Sequence, residues 1–371
     1  MAIDKITTAA ITDGTITSSD LAAGAVQNQS AFKNIIINGD MSIAQRATSA
    51  TGKTSNGYYT VDRFQAVITS QGTWTHAQST DVPTGQGFAK SLKIDCTTAD
   101  ASPAASDKLQ LRQKIEGQNL QYLKKGTSSA ESLTLSFWVR SNKTGTYIAE
   151  IFDTDNSRQI SQSYTISSAN TWEKKTLTFA GDTTGTLNND NGDSFECVFW
   201  LGAGSNFTSG TLSTTWTSNT DANRAVGQVN LADSTSNEWY VTGVQLEAGT
   251  TASDFEFLPV DVNLQRCFRY YYKKISTDNY GPLAQGMQIG GTDCMIQGYH
   301  PIKMRSSPSL AISGTWSVES GTTNATFSLS GNRTNLFGWS NQQSISATDG
   351  SAAIIYAGND GSASFSGDAE L

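Results

Sequence analysis

The sequence predicts a mainly β protein: an antiparallel jelly-roll sandwich, a short connecting helix and a smaller C-terminal β-sandwich, preceded by an extended N-terminal segment of five-residue repeats. Three observations carry that expectation. Of 371 residues only 16% are charged, and 33 Gly stand among abundant Ser, Thr and Asn, the composition of short strands joined by polar turns. Apolar and polar side chains alternate along runs such as SLTLSFWVR and SFECVFWL. A single conspicuous stretch, near residue 265, has helical spacing instead.

The first 33 residues obey neither period. Ile6, Ile11, Ile16, Leu21 and Val26 recur every fifth position. Each pentad buries at most one aliphatic side chain, about 1.5–3 kcal/mol, while ordering five backbones costs about 1–2 kcal/mol apiece. Such a segment does not fold alone. Either it is a disordered tail, or copies from neighbouring chains converge their aliphatics on a common axis or dock on a larger assembly; the regularity favours the second. Residues 1–33 are therefore expected to serve attachment and trimerisation.

Residues 34–260 are expected to form the jelly roll. Leu133, Leu135, Phe137 and Val139 share one strand face, Phe195, Cys197, Phe199 and Leu201 another, and Leu177 and Phe179 a third. Clusters such as SNKTGT, FDTDNS and NNDNGD between the runs suit turns. The connecting helix is expected over 261–275, with Asp261 as N-cap, Leu264, Cys267, Phe268 and Tyr271 in one stripe, and Lys273 and Lys274 at the negative end of the dipole. Leu264, Phe268 and Tyr271 are expected to line a three-fold seam with the pentads. Arg266, Arg269, Lys273 and Lys274 read as a solvated helix face. Residues 276–371 are expected to be a C-terminal β domain, with LAISGTWSV and TNATFSLS as strands around a hairpin loop.

Chemistry is sparse. A net charge of -8 argues against nucleic acid and anionic membranes, no run approaches the roughly 20 apolar residues of a membrane span, and the start lacks the apolar stretch of a secretory signal. Four well-separated cysteines read as small buried apolar groups, and His76 and His300 as structural or surface residues. No phosphate loop, nucleophile elbow or metal spacing is present, so no catalytic residue, metal or cofactor is expected. Asp153 with Asp155 and Asp190 with Asp193 are acidic pairs of the kind glycosidases use, though turns produce them too, and Asp190, Asn191 and Asp193 offer oxygens that calcium takes. Aromatic side chains are the other resource, because their faces stack on sugar rings. Trp138 and Trp200 point away from the aliphatic strand faces and are placed under loops. Trp339 in LFGWSN leads the candidates for exposed ligand contacts, followed by Tyr280, Trp316 and Trp216, although Trp316 shares a face with Leu310 and Ile312 and reads more strongly as core.

Several segments together resemble bacteriophage tail-fibre proteins: ITDGTITSSDLAAGAV, NIIINGDMSIAQR, LTLSFWVRS, TWEKKTLTFAGDTTG, WYVTGVQLEAGTTASDFEF, NLQRCFRYYYK and HPIKMRSSPSL. The pairing of GVQLEAG with RCFRYY is the most specific, and the last 60 residues match no known pattern. The resemblance implies a homotrimeric virion appendage, assembled in the bacterial cytoplasm. Its N-terminus would fasten to other tail or baseplate proteins, a carbohydrate-binding-like jelly roll would occupy the middle, and a tip would face a host-surface glycan. It supplies no catalytic residues. The chain is short for a fibre with a long shaft, which keeps a neck or head fibre without receptor binding and a polysaccharide-degrading virion enzyme as alternatives.

Overall fold

A computed structural model describes residues 32–330 and 332–371. The pentad positions Ile6, Ile11, Ile16, Leu21 and Val26 lie outside the described residues. The chain forms β1 (Ser49–Lys53), β2 (Gly57–Tyr58), β3 (Gln65–Thr69), β4 (Thr73–Ser79), β5 (Ser91–Thr98), β6 (Lys108–Glu116), β7 (Leu133–Ser141), β8 (Gly145–Asp153), β9 (Arg158–Ile166), β10 (Glu173–Phe179), β11 (Asp193–Ala203), the single turn α1 (Ser205–Thr208), β12 (Thr217–Ser218) and β13 (Glu238–Ala248). These strands make two antiparallel sheets, ordered β1-β4-β5-β13-β7-β10 and β12-β9-β8-β11-β6-β3-β2. The alternation read from the sequence is the inward face: Leu133, Leu135, Phe137 and Val139 meet Phe195, Cys197, Phe199 and Leu201 in the inter-sheet core. Phe137 packs edge-on against Phe199, with centroids 5.0 Å apart.

β11 is buried on both faces. Its second face carries Val198 and Trp200, which α1 and the segment after it roof over with Phe207 and Ala225. Beneath that roof Glu150 accepts hydrogen bonds from the Trp200 indole at 2.9 Å and from Arg224 at 2.8 Å, so its buried charge is paired. The outer face of the six-stranded sheet is strapped in a similar way by residues 250–259. Phe88, Phe255 and Phe257 form a ring cluster there with centroids about 5 Å apart, at the edge of half-buried Trp138. The cluster needs Gly243, which has φ +63 at a β-bulge; a Cβ there would lie 2.6 Å from the Phe88 ring.

Helix α2 (Val260–Phe268) is shorter than expected, and Tyr271–Ile275 is strand β14. The aromatic run Tyr270 to Tyr272 favours extended backbone, and β14 pairs along its whole length with the last strand of the chain. The second unit follows as β15 (Pro282–Ile289), β16 (Asp293–Tyr299), β17 (Ser309–Ser313), β18 (Trp316–Ser320), β19 (Thr323–Thr326), β20 (Asn332–Thr334), β21 (Gly338–Ser344), β22 (Ala352–Ala357) and β23 (Ser364–Asp368). A three-stranded sheet, β14-β23-β17, packs on a seven-stranded one, β19-β18-β22-β15-β16-β21-β20. LAISGTWSV is thus two strands in two sheets, because Gly314, at φ +74, turns the chain between them.

The helix stripe is used within the chain. Leu264, Cys267 and Tyr270 pack with Ile37 and Ile43, Phe268 joins the C-terminal core, and Tyr271 lies under the Arg46 guanidinium at 3.6 Å. These contacts within the chain engage Leu264, Phe268 and Tyr271, the residues expected to line a seam between chains, and leave Leu264 and Phe268 half-buried. Nor is the basic face merely solvated, for Arg269 pairs with fully buried Glu116 at 2.6 Å. Around the helix the C-terminal residues are stitched back to the first unit: Glu370 pairs with buried Arg63, and Arg46 with Asp368 at 2.9 Å.

Candidate functional site

One cleft of the described surface sets well-exposed aromatic faces beside polar groups. It lies at the β20 edge of the C-terminal seven-stranded sheet, has a volume of about 250 Å³, and is walled by Tyr299, Phe337 and Arg333 with Gln297 and Asn335 between them. Tyr299 is 76% and Phe337 61% exposed. Tyr299 ends β16, whose alternation sends Cys294 and Ile296 inward and Gln297 and Tyr299 outward. Phe337 crowns the turn between β20 and β21. That turn is rigid: Asn335 Oδ1 accepts the amides of Phe337 at 2.8 Å and Gly338 at 3.1 Å, and the His300 amide donates to the Phe337 carbonyl at 2.9 Å.

His300 braces the turn from beneath. With Nε2–H donating to the Asn335 carbonyl at 3.0 Å, Nδ1 is left to accept the Tyr272 hydroxyl at 3.0 Å, an assignment that uses both ring nitrogens in the neutral form. Burial holds the imidazole below its ordinary value, with the backbone hydrogen bonds opposing. The floor is Trp339. Its indole stacks on Phe365 at 4.8 Å and lies against Gly298, where a Cβ would sit 2.4 Å from the ring, so only glycine lets the indole lie flat on β16.

The residues singled out from the sequence fall in different places. Trp339, expected to be exposed, is 5% exposed and core; it backs the cleft instead of presenting a face to it. Trp316 is core as well, its indole N–H donating to the Ser313 and Ser364 carbonyls. Trp216 is also not a free face, since it stacks on Phe195 and donates to the Ala180 carbonyl at 2.7 Å. Tyr280 is exposed, but in a turn where it faces Tyr356 and does not line the cleft. Tyr299 and Phe337 were missed, although strand alternation placed the first outward and the turn-like NLFGW held the second. The acidic pairs serve structure: Asp153 meets Lys125 at 2.6 Å, Asp155 accepts from Asn188 at 2.8 Å, and Asp193 meets Lys114 at 3.0 Å. Among the described residues no cluster of three or more metal-ligating side chains occurs. All four cysteines are buried and free, as expected.

A larger cleft of about 380 Å³ lies at the junction of the units, lined by Phe32, Tyr122, Arg266 and Arg269. It is where the described chain begins.

No family model matches the chain, and no curated protein sequence matches it. Among solved structures it is similar to the enzymatically active domain of tailspike protein 4 of bacteriophage CBA120, at 15% identity and a TM-score of 0.32 over 59% of this chain and 22% of that one. The chain thus spans about a fifth of that protein's length. It is also similar to the family 11 carbohydrate-binding module of Clostridium thermocellum, solved with a β-1,3-1,4-mixed-linked tetrasaccharide (10% identity, TM-score 0.27, 55% and 97% of the two chains). A third likeness is to the C-terminal family 22 module of Clostridium thermocellum Xyn10B (13% identity, TM-score 0.27, 55% and 98%). At TM-scores this low the likenesses carry no functional weight.

Proposed function

We propose that this protein is a non-enzymatic attachment protein of a bacteriophage tail fibre, which binds a host-surface glycan through the Tyr299–Phe337 cleft. The observation that carries the reading is the pairing of two well-exposed aromatic faces with Gln297, Arg333 and Asn335 on a rigid turn. Sugar rings take that arrangement, since their apolar faces stack on aromatics while their hydroxyls need hydrogen-bonding partners. No carboxylate lines the cleft, so it lacks the acid and base that glycoside hydrolysis requires. The sequence resemblance to tail-fibre proteins supplies the biological setting. In that setting residues 1–33 fasten a homotrimer to the particle through other tail or baseplate proteins.

The test is binding of the labelled, purified chain to host cells. The wild type binds and is displaced by the host's own surface polysaccharide, while the Tyr299→Ala/Phe337→Ala double variant binds at least about tenfold more weakly with an unchanged melting temperature. Full binding by the folded double variant would overturn the assignment.

A further inference from the structure

The Tyr299–Phe337 cleft differs in charge from the unit that carries it. Counted from β14, residues 271–371 hold seven carboxylates against five cations, Lys273, Lys274, Lys303, Arg305 and Arg333. Arg305 is committed to the fold: its guanidinium donates to the carbonyls of Ala369 at 2.7 Å, Glu370 at 2.9 Å and Asn191 at 3.1 Å. Of the other four, Arg333 and Lys303 stand at the cleft. Arg333 forms part of its wall, and Lys303 Nζ lies 5.7 Å from the centre of the Phe337 ring. Neither makes an ion pair among the described residues, and the wall itself contains no carboxylate. Burial of His300 beneath disfavours its charged form.

We propose that the cleft takes an acidic saccharide, a sugar ring bearing a carboxylate, with the ring on the aromatic faces and the carboxylate on Arg333. This rests on glycan binding at the same cleft and names the class of sugar. A guanidinium presents paired N–H donors whose geometry fits a carboxylate bidentately. A chain of net charge -8 repels polyanions over most of its surface, so a local pair of cations both admits an acidic chain and fixes its orientation. A neutral sugar would take only ordinary hydrogen bonds from these cations and forgo the charge-assisted ones.

The experiment titrates the full chain with oligogalacturonate, alginate oligosaccharides and hyaluronate oligosaccharides, and with the carboxyl-reduced counterpart of each. At least one acidic form binds about tenfold or more tightly than its reduced counterpart. Arg333→Gln erases most of that preference by weakening the acidic form far more than the reduced one, and Phe337→Ala weakens whatever binding each form shows. No preference for any acidic form, or a preference that Arg333→Gln leaves intact, overturns the proposal. Equal binding of acidic and reduced forms, lost in Phe337→Ala, would overturn the acidic-sugar inference alone; host-cell binding untouched by Tyr299→Ala/Phe337→Ala would overturn the glycan reading beneath it.

Discussion

Trp339 and Phe337 stand two residues apart and on opposite sides of the protein surface. Trp339→Ala removes a buried ring stacked on Phe365 and leaves a cavity, so unfolding free energy falls by about 3–5 kcal/mol. Phe337→Ala stays within about 0.5 kcal/mol of wild type. Chemical denaturation of both variants checks the contrast, and equal losses would contradict it. His76 gives a second residue-scale prediction. Burial pushes its imidazole down to about 4 from 6.5, and its Nε2 has no partner. Between those values the unfolded chain binds more protons than the folded one, so stability falls as pH drops through that window. Buried Asp62, pushed up to about 6 by desolvation against the hydrogen bonds of Gln45, acts in the opposite direction. The variant therefore isolates the histidine: the stability of His76→Phe relative to wild type rises by about 3 kcal/mol between pH 7 and pH 4, read from denaturation curves at the two values. A pH-independent difference would refute the assignment.

At the scale of elements, strands β7 and β11 were legible because their faces toward the inter-sheet core are apolar with period two. β21 was not, because its inward face continues from Trp339 into Asn341 and Gln343, polar side chains satisfied by the Ser328 and Ser330 carbonyls. Buried polar groups that bond to backbone look like surface in a sequence, and this made Trp339 read as exposed. The stripe on α2 was legible as amphipathic, but its partner was not, since nothing local distinguishes a seam between chains from a seam between two units of one chain. The cleft was half legible: the alternation of β16 holds Tyr299, whereas the long-range register of β16 with β21 that brings Phe337 beside it does not appear in the sequence. The stitch between units predicts its own failure. Glu370→Ala leaves Arg63 buried beneath Tyr270 without its carboxylate and costs about 3–5 kcal/mol, while Asp368→Ala, at the more exposed end of the same network, costs under about 1 kcal/mol. Equal effects in denaturant titrations would contradict the ranking.

For the whole molecule the account divides labour along the chain. The jelly roll has both outer faces roofed or strapped by its own loops, the helix and C-terminal residues join it to the second unit, and the aromatic cleft lies on that second unit. The pentads stand apart in composition from all of it, so deleting residues 1–30 leaves the melting of the β units nearly unchanged and abolishes incorporation into particles. Truncated protein found on purified particles would refute that role. The most direct test of the central claim is an equilibrium titration of the full chain with purified host-surface polysaccharide, run side by side with Tyr299→Ala/Phe337→Ala. The account predicts saturable binding by the wild type and none detectable by the equally stable double variant; indistinguishable isotherms would contradict it.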